Sequence, residues 1–273
     1  MMRKRRNFFD GIFTGLTWLG TLVMFAPIAW MILTSFKTEQ DAVSYPPKLF
    51  FSPTLDHYRR IFDNDLVSFA SVSILVTVLS TLMVIVLAVP AAYALTVRPV
   101  PKWRDVLFFF ISTKMMPIAA GIVPIYLVAR AFDLLNTSTV LIILYTSMNL
   151  PLAIWMIRSF MVEIPRDVFD AVEVDGAGRI REMVQIIVPL IKPGLASTAL
   201  LCGIFAWNEF FLAVNLTTTV STLPVFLQKF LSFGQLYTAQ VAAVATLINI
   251  PVVVAGWLAQ KSLTRGLTFG AVK

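Results

Sequence analysis

The chain has 273 residues, of which 58% are hydrophobic and only 14% are charged, and its mean hydropathy is +0.81. Soluble globular domains are about half apolar and about a quarter charged, so this composition excludes a soluble protein. It predicts an all-α, polytopic membrane protein that forms a single domain.

Six stretches are apolar enough to cross a bilayer as helices, which takes about 20 residues each. They are expected at about 12–34, 70–96, 106–130, 137–158, 186–211 and 239–260. Lipid offers no partners to free backbone groups, and the stretches are too long for barrel strands, so each should be helical. The single domain, 1–273, should therefore contain a first span, a core at about 70–260 and a tail at 261–273.

The first span follows a basic N-terminus and resembles a secretory signal in outline. Its apolar run is about 23 residues, longer than a signal's hydrophobic region, and no cleavage site of small residues follows it. We therefore interpret it as an uncleaved span.

The basic residues predict the orientation. With both termini in the cytoplasm, fifteen Lys and Arg residues lie inside and six lie outside, which is the bias expected of a cytoplasmic membrane protein. The same distribution accounts for the net charge of +7, so a nucleic-acid partner is not needed to explain it.

Residues that carry common chemistry are scarce. The single cysteine, Cys202, lies within the fifth predicted span, and the single histidine, His57, is expected to be a loop residue of an outer segment at 36–68 that forms short helices at the membrane surface. There is no phosphate-binding G-x-x-x-x-G-K-[ST] sequence and no cluster of His, Cys and carboxylates. The chain is therefore not predicted to be an enzyme or to bind a cofactor or metal.

The segment from 163 to 189 is the most polar stretch between two spans. Pro165 suits a first helical turn and Gly176 suits a left-handed helix end, so a short helix of about eleven residues is expected between them. Its predicted apolar face comprises Ile164, Val168, Ala171 and Val172, and its polar face comprises Arg166, Asp167, Asp170 and Glu173. Glu173 and Asp175 lie near the helix C-terminus, where negative charge is unfavourable, so local helix stability does not explain them.

This segment resembles the cytoplasmic coupling loop of ABC importer permeases. The loop of that family begins with an acidic residue and two small ones. A three-residue gap, a glycine, nine further residues and Ile-x-Leu-Pro follow. The matching positions here are Asp170-Ala171-Val172, Gly176, Ile186 and Val188-Pro189. Further similarity to the carbohydrate branch lies in Leu150-Pro151, Met156-Ile157-Arg158-Ser159-Phe160, Pro193-Gly194-Leu195, Trp207-Asn208-Glu209-Phe210, Thr222-Leu223-Pro224 and the tail from Gly266 to Lys273.

The resemblance implies a permease of the bacterial inner membrane that works with a second permease subunit, an ATPase dimer and a periplasmic solute-binding protein. ATP and Mg²⁺ would be bound by the ATPase. The resemblance assigns ATPase coupling to the loop and an ATPase contact to three tail residues; these positions are Asp170, Ala171, Val172, Glu173, Asp175 and Gly176 in the loop, and Gly266, Gly270 and Lys273 in the tail.

A solute path for a sugar or polyol needs aromatic rings with amides and hydroxyls between them. The fourth and fifth predicted spans supply such groups. A lysine also lies inside the third span, where charged residues are rare. This lysine either lines the path or pairs with backbone carbonyls that Pro117 leaves free. The path candidates are Lys114, Tyr145, Asn149, Trp155, Trp207, Asn208 and Glu209. Alternatively, the Glu209 carboxylate is expected to lie among the outer lipid headgroups rather than in the path. The motif around Lys114 resembles polyol importers within the branch.

Two other classes remain as alternatives. A secondary transporter should show a repeated half and intramembrane carboxylates, whereas only Glu209 qualifies and no repeat is visible. A channel or scaffold protein has no need of the short polar helix between Pro165 and Gly176.

Overall fold

A computed structural model describes residues 2–63, 65–97, 100–231 and 237–268. The described residues are mostly helical and contain no strand, as the composition predicts. In chain order the helices are α1 (Met2–Thr34), α2 (Glu39–Ala42), α3 (Asp56–Asp63), α4 (Leu66–Thr96), α5 (Trp103–Thr113), α6 (Ile118–Ala131), α7 (Ser138–Val162), α8 (Arg166–Val174), α9 (Arg179–Arg181), a π-helix (Glu182–Ile187), α10 (Val188–Leu190), α11 (Lys192–Trp207), α12 (Phe211–Leu216), α13 (Leu223–Gln228) and α14 (Thr238–Thr268).

Among the described residues, four helices are long and apolar enough to cross a membrane without interruption, and they belong to α1, α4, α7 and α14. Two further segments qualify as bent pairs: α5 with α6, which meet at 91°, and the stretch 179–190 with α11, which meet at 81°. The structure therefore has four candidate spans, or six if each bent pair is one span. The sequence predicted continuous third and fifth spans bent at their prolines, and the structure divides each of these segments into helices that meet at a sharp break.

Prolines account for the two breaks. Pro117 precedes the first residue of α6 with an extended backbone, because a proline has no N–H to continue the helix and disfavours helical geometry in the residue before it. Pro193 lies in the first turn of α11, just after the break at Ile191. By contrast Pro27, Pro90, Pro151 and Pro251 lie inside continuous helices, so a proline alone does not predict a break.

The chain divides into two compact units, the first comprising 1–66 and 227–250. In this unit the Glu39 carboxylate accepts hydrogen bonds from the first N–H groups of α14, at Ala239 and Gln240, both at 3.0 Å, and so satisfies donors that a helix start leaves unpaired. His57 is buried on α3, with Nε2 3.0 Å from the Lys37 carbonyl oxygen. The expectation of a loop histidine was wrong, because His57 packs as a core residue of this small unit.

The second unit comprises 67–226 and 251–273, and its centre is the packing of α7 against α11. Four small residues of α11 are buried at four-residue spacing: Gly194, Thr198, Cys202 and Ala206. This spacing places them on one face of the helix and lets two backbones approach closely, which is how membrane helices associate when lipid removes the hydrophobic driving force.

The end of the second unit remote from α8 is held by side chains that cap backbone groups. The Asn136 amide oxygen accepts from the N–H groups of three consecutive residues, at 2.9, 2.9 and 3.1 Å, from Thr218 to Val220. Ser73 Oγ accepts from the N–H of Leu223 at 2.7 Å. These bonds fix the loop after α12 on residues more than 80 positions away in the chain.

The predicted tail at 261–273 is partly helical. Helix α14 continues to Thr268 and includes Gly266, because the segment up to that point contains no proline and follows the sixth span without a break. The other two residues assigned to the tail, Gly270 and Lys273, lie outside the described residues.

Candidate functional site

Helix α8 and the turn after it form the most distinctive surface element of the second unit. The helix begins after Pro165, whose ψ of 141° is not helical, and Gly176 has a φ of +65°. The N–H of Gly176 donates to the Glu173 carbonyl at 3.1 Å, and that of Ala177 donates to the Val172 carbonyl at 3.3 Å. These two bonds form a Schellman motif. The predicted left-handed glycine is confirmed, and the helix is nine residues long rather than about eleven.

The inner face of α8 differs from the predicted one by one residue. Val172 is buried and Phe169 packs with Ile164 against the cluster that contains Ile157 and Met161. Ala171 is exposed, because successive helical residues are rotated by about 100° and Ala171 lies on the far side of Val172 from Phe169. Val172 therefore anchors the helix within this chain, and Phe169 is an anchor that the sequence pattern missed.

The outer face of α8 is acidic. Asp167, Asp170, Glu173 and Asp175 are all exposed, and the last two stand at the end of the helix where the backbone dipole disfavours negative charge. Val174, between them, is 88% exposed. A carboxylate-rich face that carries an exposed apolar side chain has the chemistry of a contact surface for a basic partner.

A buried polar contact links the segment after α8 to the core. Glu182, the first residue of the π-helix, is 1% exposed, and its Oε2 accepts a hydrogen bond of 2.7 Å from the Tyr93 hydroxyl of α4. Neither residue was predicted from the sequence. The available signal was a carboxylate four residues before the Ile186–Pro189 motif, and π-helices are common at functional sites.

Two of the path candidates lie inside the helix packing. Tyr145 and Asn149 are 0% and 1% exposed. The Tyr145 hydroxyl donates to the Glu209 carbonyl at 3.4 Å, and the Asn149 amide donates to the Cys202 carbonyl at 3.4 Å. In this conformation both side chains join α7 to the segment that contains α11, and neither is presented to a cavity.

Trp207 lines a cavity of about 620 Å³ between α4, α11 and the end of α14 that follows Pro251. Nearly all the other lining residues are aliphatic; the polar ones are Thr77 and Thr81. A sugar needs hydrogen-bond partners for its hydroxyls, so this cavity by itself does not have the chemistry of a sugar site.

Asn208 and Glu209 differ in environment although they are adjacent. Asn208 is exposed and its amide donates to the Ile204 carbonyl. Glu209 is 9% exposed, and its carboxylate accepts from the N–H groups of Leu212 and Ala213 at 2.9 and 3.3 Å. Glu209 thus caps α12. The sequence had suggested that Glu209 lies either in the solute path or in the outer headgroups, and neither expectation included a helix cap.

Lys114 lies at the break between α5 and α6 rather than inside a continuous helix. It ends α5, its N–H donates to the Ile111 carbonyl, and its side chain is exposed. Trp155, on α7, is also exposed. Among the described residues, no group of three His, Cys, Asp or Glu side chains could hold a metal ion.

Residues 84–265 match the family model of the binding-protein-dependent transport system inner membrane component. This segment covers two thirds of the chain and includes α8, its Schellman turn and the π-helix. The chain belongs to this family. It is therefore a multi-pass membrane protein and a transport subunit rather than an enzyme.

The chain is similar along most of its length to curated relatives. It is 36% identical over 266 residues to the trehalose transport system permease protein SugB of Mycobacterium tuberculosis, with 93% of this chain and 96% of the relative covered. It is 35% identical over 252 residues to the sulfoquinovosyl glycerol transport system permease protein SmoH of Agrobacterium fabrum, with 90% and 88% covered.

The fold of the chain is also found in a solved structure. A chain from a bacterial ABC transporter involved in the import of alginate aligns with a TM-score of 0.76 and 23% identity, covering 93% of this chain and 96% of that one. At this identity the similarity establishes a shared ABC-permease fold.

Proposed function

We propose that this chain is one of two permease subunits of an ABC importer and that it forms half of the path for a sugar or polyol delivered by a periplasmic binding protein. The observation that carries the proposal is the acidic, exposed α8 within the segment that matches the family. Relatives named for trehalose and sulfoquinovosyl glycerol transport support a carbohydrate as the solute.

In this proposal each bent pair is one span, so the chain has six spans and both termini are cytoplasmic. The distribution of Lys and Arg supports that orientation, which places α8 in the cytoplasm. ATP hydrolysis then occurs on separate ATPase subunits, since the sequence has no phosphate-binding loop.

The coupling contact is assigned to the exposed residues of α8 and its turn. Asp170, Ala171, Glu173 and Asp175 face outward and would meet the ATPase, whereas Val172 and Gly176 hold the helix and its end in place. The tail residues Gly266, Gly270 and Lys273 are proposed to reach the same partner.

The solute path is assigned to the surface that the second permease would cover. Lys114, Trp155 and Asn208 are exposed and are the path candidates available for solute contact in this conformation. Tyr145, Asn149, Trp207 and Glu209 would hold the helices that carry them.

Charge reversal on α8 tests the coupling assignment. The full chain is co-expressed with its second permease, ATPase and binding protein, and Asp170→Arg is compared with Glu163→Arg, which reverses an exposed carboxylate just before α8. We expect ATPase recovery with the complex to fall at least tenfold for Asp170→Arg and to stay near normal for Glu163→Arg. Equal recovery from the two variants would reject α8 as the contact.

Transport in proteoliposomes tests the solute assignment. Labelled trehalose, maltose and sugar alcohols are supplied with the binding protein outside and ATP inside, and uptake is compared with that of amino acids. Lys114→Met should change the uptake rate or the solute preference at an unchanged amount of complex. Uptake of amino acids alone would refute the carbohydrate assignment.

A further inference from the structure

The backbone between α8 and α11 is interrupted in three ways. Gly176 is left-handed at the end of α8, the stretch from Glu182 to Ile187 is a π-helix, and the chain bends by 81° before α11. Pro189 cannot donate the hydrogen bond to the Gln185 carbonyl that an α-helix requires, so regular α-helical bonding does not continue through this stretch. A displacement of α8 is therefore partly absorbed here, and the backbone alone transmits it poorly to α11.

A side-chain contact crosses from this stretch directly to α4. Glu182 is 1% exposed, and its Oε2 accepts a hydrogen bond of 2.7 Å from the Tyr93 hydroxyl. A hydroxyl that donates to a carboxylate makes a short bond that is about twice as strong as one between neutral groups. Such a bond fixes the position of Glu182 relative to α4, whereas apolar burial around it has no preferred direction. Glu182 is the first residue of the π-helix, so the contact lies on the α8 side of both the π-helix and the bend.

Both partners of this bond are held in place by their own elements. Tyr93 is buried in the cluster that contains Ile154 and Ile157 of α7, so its ring is fixed by the packing of α4 on α7. The N–H of Glu182 donates to the Gly178 carbonyl at 2.9 Å, which ties Glu182 to the turn after α8. A shift of α8 and its turn is therefore expected to move Glu182, and the movement reaches Tyr93 through one hydrogen bond.

Helix α4 continues from this contact into the middle of the second unit. It runs without a break from Leu66 to Thr96 and is long and apolar enough to cross a membrane. Thr77 and Thr81 of α4 line the cavity beside Trp207. They lie 16 and 12 residues before Tyr93, which is about 24 and 18 Å along the helix axis at 1.5 Å per residue. A displacement at Tyr93 thus reaches the cavity-lining part of α4 through one continuous helix.

We propose that Tyr93 and Glu182 are positioning residues that couple α8 to α4. Their hydrogen bond passes the displacement of α8, which the partner ATPase causes, to the helix that lines the cavity. Neither residue is assigned a contact with ATP or solute, and both act through the elements that they hold. The proposal rests on the proposed function, because it takes α8 as the ATPase contact, and it adds the route from α8 into the membrane-spanning part of the chain.

The stimulation ratio of the reconstituted transporter tests this role. The full chain with its second permease and ATPase is placed in proteoliposomes, and ATP hydrolysis per intact complex is measured with and without the binding protein and a panel of trehalose, maltose and sugar alcohols. The stimulation ratio is the first rate divided by the second. Tyr93→Phe keeps the ring and removes only the hydroxyl. We expect it to lower the ratio about fivefold, within the range that single residues of a coupling network produce, and to lower solute uptake per ATP similarly. Wild-type values in this variant would overturn the proposal.

The same ratio separates coupling from stability. A bond that only stabilises the fold changes the amount of complex recovered but leaves the ratio, which is measured per intact complex, unchanged. Ser73→Ala is the matched control, because Ser73 also lies on α4, is 2% exposed and accepts a hydrogen bond of 2.7 Å from the Leu223 N–H. This bond lies near the start of α4, remote from α8, so its loss should leave the ratio at the wild-type value. Equal reductions in Ser73→Ala and Tyr93→Phe would reject a specific route through Tyr93.

Variants of Glu182 show whether the two residues act through one bond. Glu182→Gln keeps an oxygen acceptor and should retain most of the wild-type ratio, whereas Glu182→Leu removes the acceptor and should behave like Tyr93→Phe. The double variant of Tyr93→Phe and Glu182→Leu should lose no more than the worse single variant, since losses that share one interaction do not add. Additive losses, or a wild-type ratio in Glu182→Leu, would contradict the proposal. Tyr93→Phe decides the question by itself where Glu182→Leu fails to assemble.

The wild-type complex distinguishes failure of this proposal from failure of the proposed function. Absence of stimulation in the wild type, for every solute of the panel, would overturn the assignment to a sugar or polyol importer and the role of Tyr93 and Glu182 with it. A stimulated wild type together with unchanged variants overturns only the route through these two residues.

Discussion

Replacement of Gly176 by valine tests the helix end on which the coupling proposal depends. Gly176 has a φ of +65°, and a Cβ built there has no heavy atom within 4 Å, so the effect of the substitution comes from backbone strain rather than from a clash. A left-handed residue with a side chain costs about 1–2 kcal/mol. The alternative is to unwind the turn, which loses the two Schellman hydrogen bonds at about 0.5–1.5 kcal/mol each.

The protein takes the less costly of the two routes, so the substitution removes about 1–2 kcal/mol from the native end of α8, which corresponds to a factor of about 5–30 in its population. We therefore expect Gly176→Val to reduce ATP hydrolysis stimulated by the loaded binding protein by a similar factor in proteoliposomes. Gly176→Asn should be much milder, since asparagine enters the left-handed region readily.

Gly178→Val is the matched control for this experiment. Gly178 lies two residues further on, also with open space around its Cβ position, but its φ of −68° and ψ of 156° are accessible to valine, and no side-chain cap is lost. This variant should hydrolyse ATP at close to the wild-type rate. Wild-type activity of Gly176→Val, or equal losses in the two valine variants, would refute the reasoning.

Two further substitutions test the packing of the second unit. A Cβ at Gly194 would overlap the Phe160 ring, so Gly194→Ala should lower the stability of the purified complex, measured by thermal unfolding, by about 1–3 kcal/mol. Gly203→Ala on the same helix is the control, because its Cβ meets nothing closer than 3.7 Å and the change should be neutral. Equal stability of the two variants would contradict the close approach of α7 and α11. Tyr93→Phe deletes the hydrogen bond to the buried Glu182 carboxylate and should cost about 1.5–3 kcal/mol, which the same assay measures, and an unchanged melting temperature would show that this bond contributes nothing to the fold.

The short helix before Gly176 was predictable because its signals are local. A proline before a helix and a glycine after it act through their own backbone geometry, so Pro165 and Gly176 predicted the bounds of α8 within two residues. Its inner face was less predictable. Phe169 and Ala171 exchange roles relative to the prediction because only the position of the core selects which of several apolar residues turns inward.

Composition and length determined the class of protein. A chain that is 58% hydrophobic with long apolar runs can satisfy its backbone in lipid only as helices, whatever its tertiary arrangement. Composition and length did not predict the helix breaks near Lys114 and Ile191. All six predicted spans contain proline, and whether a given proline ends a helix depends on the neighbours that pack against the freed backbone groups.

The roles of individual polar side chains were decided by tertiary structure alone. Glu209 caps α12, Asn149 joins α7 to α11, and Arg158 lies over Trp103 although 55 positions separate them in the sequence. Each of these contacts joins elements whose relative position follows from the packing of whole helices. The sequence by itself determined that the chain is helical, embedded in a membrane and exposes one short acidic helix, because those properties depend on composition and local geometry; which side chains meet depends on long-range contacts that no local pattern encodes.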